Sequence, residues 1–153
     1  MLLALAIHLL CFALLAGGSI GAKVLHSAMR PKIASTPAQA AVLLAAMLRF
    51  SIVAQIGAGL MLVSGIGLLA VEGWVWWGTG WLYAKLALFV MLVINGPFVA
   101  RPAAMQLLGA LESGGSGAAV AVPLKRLEIF HTVQVAGLVG IVLLAVLKPF
   151  WSG

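Results

Sequence analysis

Charge is what this chain lacks most. Nine of its 153 residues are Lys or Arg, three are Glu and none is Asp, a charged share of 8%, where soluble domains carry about 25%. Glu72, Glu112 and Glu128 all fall at the edges of apolar runs, so no pair of carboxylates is available for a proton relay inside a membrane. The single cysteine, Cys11, leaves nothing for an internal disulfide or a cysteine metal site and reads as a small buried apolar residue. There is no GxSxG elbow and no phosphate-binding glycine loop, which disfavours a hydrolase or a nucleotide-driven pump. A pore lacks the ring of charged side chains that selects an ion.

What is present is hydrocarbon. Hydrophobic residues make up 64% of the chain, and the mean hydropathy is +1.21. Four apolar runs, near 2–27, 49–71, 81–100 and 127–147, are each long enough to cross a hydrocarbon core of about 30 Å, which takes about 20 helical residues. They are continuous rather than alternating, so helices are expected and not barrel strands. The expected fold is all-α: a polytopic membrane four-helix bundle forming one transmembrane domain over residues 1–153. The first run has no basic residue before its apolar part, and its first charge is Lys23; it reads as a retained helix rather than a signal peptide.

The basic residues orient the bundle. Lys23, Arg30, Lys32, Arg49, Arg101, Lys125 and Arg126 fall at the ends joining the first helix to the second and the third to the fourth, with Lys85 and Lys148 on the other side. Lys and Arg accumulate in short cytoplasmic loops, which puts both termini on the outer, periplasmic side of a bacterial inner membrane. Trp74, Trp76, Trp77, Trp81 and Trp151 all lie at that outer side, where amphipathic rings sit among the headgroups. The net charge of +6 is then a matter of topology and anionic lipid; nucleic acid is not a partner.

Between the runs, a helical lead-in is expected from Pro37. Pro97 and Pro102 each remove a backbone donor and are expected to stop or kink the third helix. "AAMQLLGALE" would lie along the inner surface as a short helix, and "SGGSGAAVAVP" has the composition of a flexible loop. Gly57, Met61 and Ser64 share one face of the second helix, and "GGSIG" offers a smooth surface on the first, as close helix packing in lipid requires.

Ionisable side chains within the spans are the candidates for function, because burying them costs several kcal/mol. Lys85 lies one to two turns inside the outer end of the third helix. It either snorkels to the headgroups or faces the bundle and holds an anion, such as a ligand carboxylate or Glu72. His8 and His26 are eighteen residues apart, five full turns, so they share a face about 27 Å apart along the axis. Phe12, Leu15, Ser19 and Ala22 complete that stripe. His8 matches the depth of Lys85, and His26 that of His131. Neutral imidazole is a usual axial ligand of haem iron, and helix bundles are a usual place to hold the ring. His8, Lys85, His26 and His131 are therefore the candidate cofactor-binding residues, with His8 the first candidate for a metal ligand. Gln55, Ser64, Asn95, Thr132 and Gln134 read as ordinary hydrogen-bonding groups between helices.

The segments "AIHLLCFALLAGGSIGAKVLHSAMR", "GWLYAKLALFVMLVING" and "RLEIFHTVQVAGLVGIVLLAVLKPF" together resemble the bacterial membrane protoporphyrinogen IX oxidase of the HemJ type, and the related small four-helix proteins of the CopD and DUF2269 kinds. The resemblance implies a bundle carrying haem b, with His8 and Lys85 at the positions tied to haem binding and activity. It implies an oxidoreductase acting on protoporphyrinogen IX or transferring electrons, with Lys85 as its catalytic residue and a porphyrin as its partner. Two positions depart from the oxidases: "ING" around Asn95 stands where they tend to have a histidine, and "IFHTVQ" where they have an Asn-Glu pair. A second reading of the same features is a non-catalytic structural or assembly subunit, touching lipid and other membrane subunits or copies of itself. Transport of a metal ion or small solute rests on analogy alone.

Overall fold

The computed structural model describes residues 1–147, and every regular element in it is helical. In chain order these are α1 (Leu2–Met29), α2 (Lys32–Ser35), α3 (Pro37–Val71), α4 (Gly80–Asn95), a π-helical turn over Gly96–Ala100, α5 (Arg101–Glu112) and α6 (Ala118–Val146). Four stretches are long and apolar enough to cross a membrane: Leu2–Met29, Pro37–Val71, Gly80–Glu112 and Ala118–Val146. The expected four spans are there. Lys148 and Trp151 lie outside the described residues.

α3 extends well beyond its expected apolar run. Its 35 residues rise about 52 Å, longer than the about 30 Å of hydrocarbon that a span must cross. Its start follows local chemistry: Pro37 takes the first helical position, where a missing N–H costs nothing, and the Thr36 carbonyl accepts from the Gln39 and Ala40 amides at 3.0 and 3.1 Å. Its other end closes in a Schellman motif. The Gly73 amide donates to the Ala70 carbonyl and the Trp74 amide to the Leu69 carbonyl, with Gly73 in the left-handed region at φ 67°.

The expectations for the prolines and for the two segments that follow them are met in part. The third span does not stop at its prolines: the ladder loosens by one residue into a π turn, in which the Arg101 amide donates to the Gly96 carbonyl, and the helix then continues to Glu112. Pro97 lacks the N–H that the α-ladder would need, and widening the turn lets the chain run on. The segment "AAMQLLGALE" thus continues this helix, with Ala103, Ala104 and Leu107 buried in the core. The stretch expected as a flexible loop is largely helix as well, because α6 already begins at Ala118. Its Ala and Val residues favour packing, and Pro123 is buried near the start of the helix.

α1 and α3 form the most extensive helix pair, α4 lies along α6, and α5 packs on both α6 and α3, whereas α3 and α4 scarcely meet. Glycine sets the α1–α3 approach. A Cβ on Gly57 would stand 2.4 Å from the Leu15 backbone nitrogen, and one on Gly18 2.6 Å from that of Ala54. The two backbones touch there, as small-residue interfaces in lipid allow.

Two apolar clusters result. One, at the end bearing the basic loops, gathers Met29, Leu44, Met47, Leu107 and Leu127. The other, toward the tryptophans, gathers Cys11, Leu15, Met61, Phe89 and Leu138. Ser19 on α1 and His131 and Gln134 on α6 fall between these clusters along their helices, and all three are buried.

Candidate functional site

At the tryptophan end, the ring of His8 is oriented by α3. Its Nδ1 stands 2.9 Å from Ser64 Oγ, and its Cε1 lies 3.3 Å from where a Cβ on Gly65 would be, so a side chain there would crowd the ring. The Ser64 hydroxyl can donate its single proton to the Met61 carbonyl at 3.1 Å. With its proton on that carbonyl the hydroxyl accepts from Nδ1 and the Nε2 lone pair is left for another partner; in the other tautomer Ser64 donates to Nδ1 instead. Ligating histidines are commonly oriented in the first way, with the other ring nitrogen donating to an oxygen.

Lys85 belongs to an aromatic cluster at the same depth. Its Nζ stands 5.3 Å from the centre of the Trp81 ring, within cation–π range, and lies in electrostatic reach of His8. Trp81 donates its indole N–H to the Leu144 carbonyl on α6. Trp76 donates to Glu72 and stacks edge-on to Trp81 at 6.2 Å. The structure thus sets Glu72, the alternative anion for Lys85, against Trp76.

At the basic end, His26 and His131 meet across α1 and α6. Their ring centres are 5.2 Å apart with the planes tilted by 43°, and the two side chains are 3% and 2% exposed. Both Nε2 atoms are buried without a hydrogen-bond partner among the described residues. An iron held between two imidazoles by metal–nitrogen bonds of about 2 Å needs the whole thickness of a porphyrin between the rings. These rings stand in contact, so as placed they do not bracket one. Nor does any group of three or more His, Cys, Asp or Glu among the described residues stand where it could hold a metal ion.

Beside this pair, a cavity of about 500 Å³ runs from His131 toward the gap between α3 and α4. Ser19 and Gln134 line it with His131, and Ser19 Oγ, Gln134 Oε1 and His131 Nε2 are all buried without a partner among the described residues. Each such group costs about 1–3 kcal/mol if nothing bonds to it. The π turn contributes Gly96, Pro97 and Ala100 to the wall, so the irregularity forced by proline borders this space.

Sequence reasoning placed His8 with Lys85 and His26 with His131 by depth, and the structure brings the second pair into ring contact. It had Ser19 only as part of the stripe between His8 and His26 and Gln134 only as a hydrogen-bonding group between helices, and assigned neither to a site. The available signal was register: Gln134 follows His131 by three residues, and Ser19 precedes His26 by seven on the stripe it shares with His8, each on the same helix face.

A sequence family described as a predicted integral membrane protein, DUF2269, matches residues 2–149. The chain therefore belongs to that family. Comparison with curated proteins and with solved structures finds no match.

Proposed function

We propose that this DUF2269 protein is a haem-carrying redox protein of the bacterial inner membrane, with both termini outward, His8 as an axial ligand and Lys85 as the second ligand or the partner of a carboxylate. The observation that supports it most directly is the anchoring of the His8 ring: Ser64 Oγ stands 2.9 Å from Nδ1 and leaves Nε2 as the nitrogen available to a metal. A neutral, oriented imidazole on a helix is the ligand that haem b requires. The likeness of the first, third and fourth spans to the HemJ type points the same way. When bound, the haem would supply one-electron chemistry, such as electron transfer or the oxidation of a porphyrinogen, and the protein would supply ligands and field. Lys85, fixed over Trp81, would contribute the positive charge.

The absorbance spectrum of the purified protein tests this. A Soret band that disappears in His8→Ala and persists in His131→Ala is the expected result. A protein that stays colourless when expressed with excess haem and co-purifies with other membrane proteins would replace the reading with that of a structural subunit.

A further inference from the structure

The cavity beside His131 opens at the side of the bundle. Its rim is formed by exposed residues of the two helices that scarcely meet: Ile52, Gln55 and Leu62 on α3, and Val93 and Pro97 on the α4 side. Counting from Arg49 at the basic end of the span, these α3 positions lie about 4 to 20 Å along the helix, so the mouth opens sideways at the level of the hydrocarbon. Most of the wall is apolar, with Leu15, Phe89, Leu92 and Phe130 among its members. A ligand of about that volume must therefore be largely hydrocarbon.

The deep end of the cavity is different. Ser19, His131 and Gln134 are 5%, 2% and 6% exposed, and each carries a polar atom with no partner among the described residues. Together a hydroxyl, an imidazole nitrogen and an amide oxygen can serve both carbonyl acceptors and hydroxyl donors. Apart from the histidine, Arg101 is the one ionisable residue lining the cavity among the described residues, and it stands exposed at the rim. The buried end therefore suits a neutral head and not a carboxylate or phosphate. Phe89, Phe130 and the imidazole of His131 add flat faces.

We infer that this cavity binds a neutral lipid-borne ring carrying hydrogen-bonding oxygens, the chemistry of a quinone or quinol, entering between α3 and α4 and seating its oxygens on Ser19, His131 and Gln134. The site is separate from His8 and does not depend on the cofactor reading.

Equilibrium binding of a radiolabelled decyl-benzoquinone to the full-length protein, in nanodiscs of phosphatidylcholine, tests the inference. Saturable binding is expected, weakened about tenfold by Gln134→Leu and by Ser19→Ala, each of which removes one hydrogen-bonding group. Gly59→Phe should abolish it: Gly59 lines the cavity and a Cβ there meets nothing within 4 Å, so the ring plugs the space while the helices keep their packing, as an unchanged gel-filtration profile would verify. His8→Ala should bind the quinone as the wild type does, even if it has lost its colour. Absence of saturable binding, equal binding by all three cavity variants, or equal competition by decanoic acid would overturn the inference.

Discussion

Ser64 has one proton to give, and where it goes determines what His8 can do. Its oxygen holds Nδ1 at 2.9 Å whichever of the two carries the proton, so Ser64→Ala should free the ring to turn. Loss of such an orienting partner typically weakens metal binding about 10–100-fold. Haem titration followed at the Soret band should accordingly place Ser64→Ala between the wild type and His8→Ala. A different outcome is expected at Arg30 and Glu128, which join α1 to α6 through a 2.8 Å ion pair whose side chains are 50% and 47% exposed. Water and headgroups screen such a pair, so Glu128→Gln should cost less than about 1 kcal/mol, a small change in thermal midpoint. Distance alone would rank these two contacts as equals; burial separates them.

Among the helices, α1 and α3 are held by backbone contact and the rest by side chains. A methyl group at Gly57 has no space, since it would fall 2.4 Å from a backbone nitrogen, and a backbone cannot rotate aside as a side chain can. Gly57→Ala should force the pair apart and destabilise the protein by about 1–3 kcal/mol, the usual range for overpacking. Gly59→Ala, two residues on and about 200° round the helix, meets open space and should be neutral or stabilising by up to about 1 kcal/mol. The fraction of each variant that stays monodisperse in detergent after stepwise heating measures the difference. Small-residue patterning made the smooth faces of α1 and α3 legible in advance. It could not say which glycine touches, because that depends on helix rotation and crossing point, and both are set by the partner.

For the molecule as a whole, the asymmetry of its charge gives an orientation that can be measured. With Cys11 replaced by Ser, single cysteines can be placed at Val75, 66% exposed beside the tryptophans, and at Ser113 in the turn that follows α5. Outward termini require that V75C react with a membrane-impermeant maleimide in intact cells and S113C only after permeabilisation; the reverse pattern would invert the protein. The extension of α3 and the run of α4 through the π turn into α5 build a second apolar cluster toward the basic loops. The polar band of Ser19, His131 and Gln134 lies between that cluster and its counterpart nearer the tryptophans.

Much of this was determined along the chain. Long uninterrupted apolar runs must be helices in lipid because no water can satisfy a broken backbone, and the helical start at Pro37 is local chemistry. The depths of His8, Lys85, His26 and His131 follow from a constant rise per residue. Only the tertiary structure decided which side chains meet: that His8 is served by Ser64, that His26 and His131 touch, and that Ser19 and Gln134 border a common space. Those facts depend on how each helix is rotated about its axis and which neighbours it keeps, and a span that is apolar nearly all round carries little pattern to reveal either. The passage through the prolines at 97 and 102 was undecided for a related reason. Proline forbids one hydrogen bond, and whether the chain then breaks or widens into a π turn depends on the packing available beyond it, here on α3 and α6.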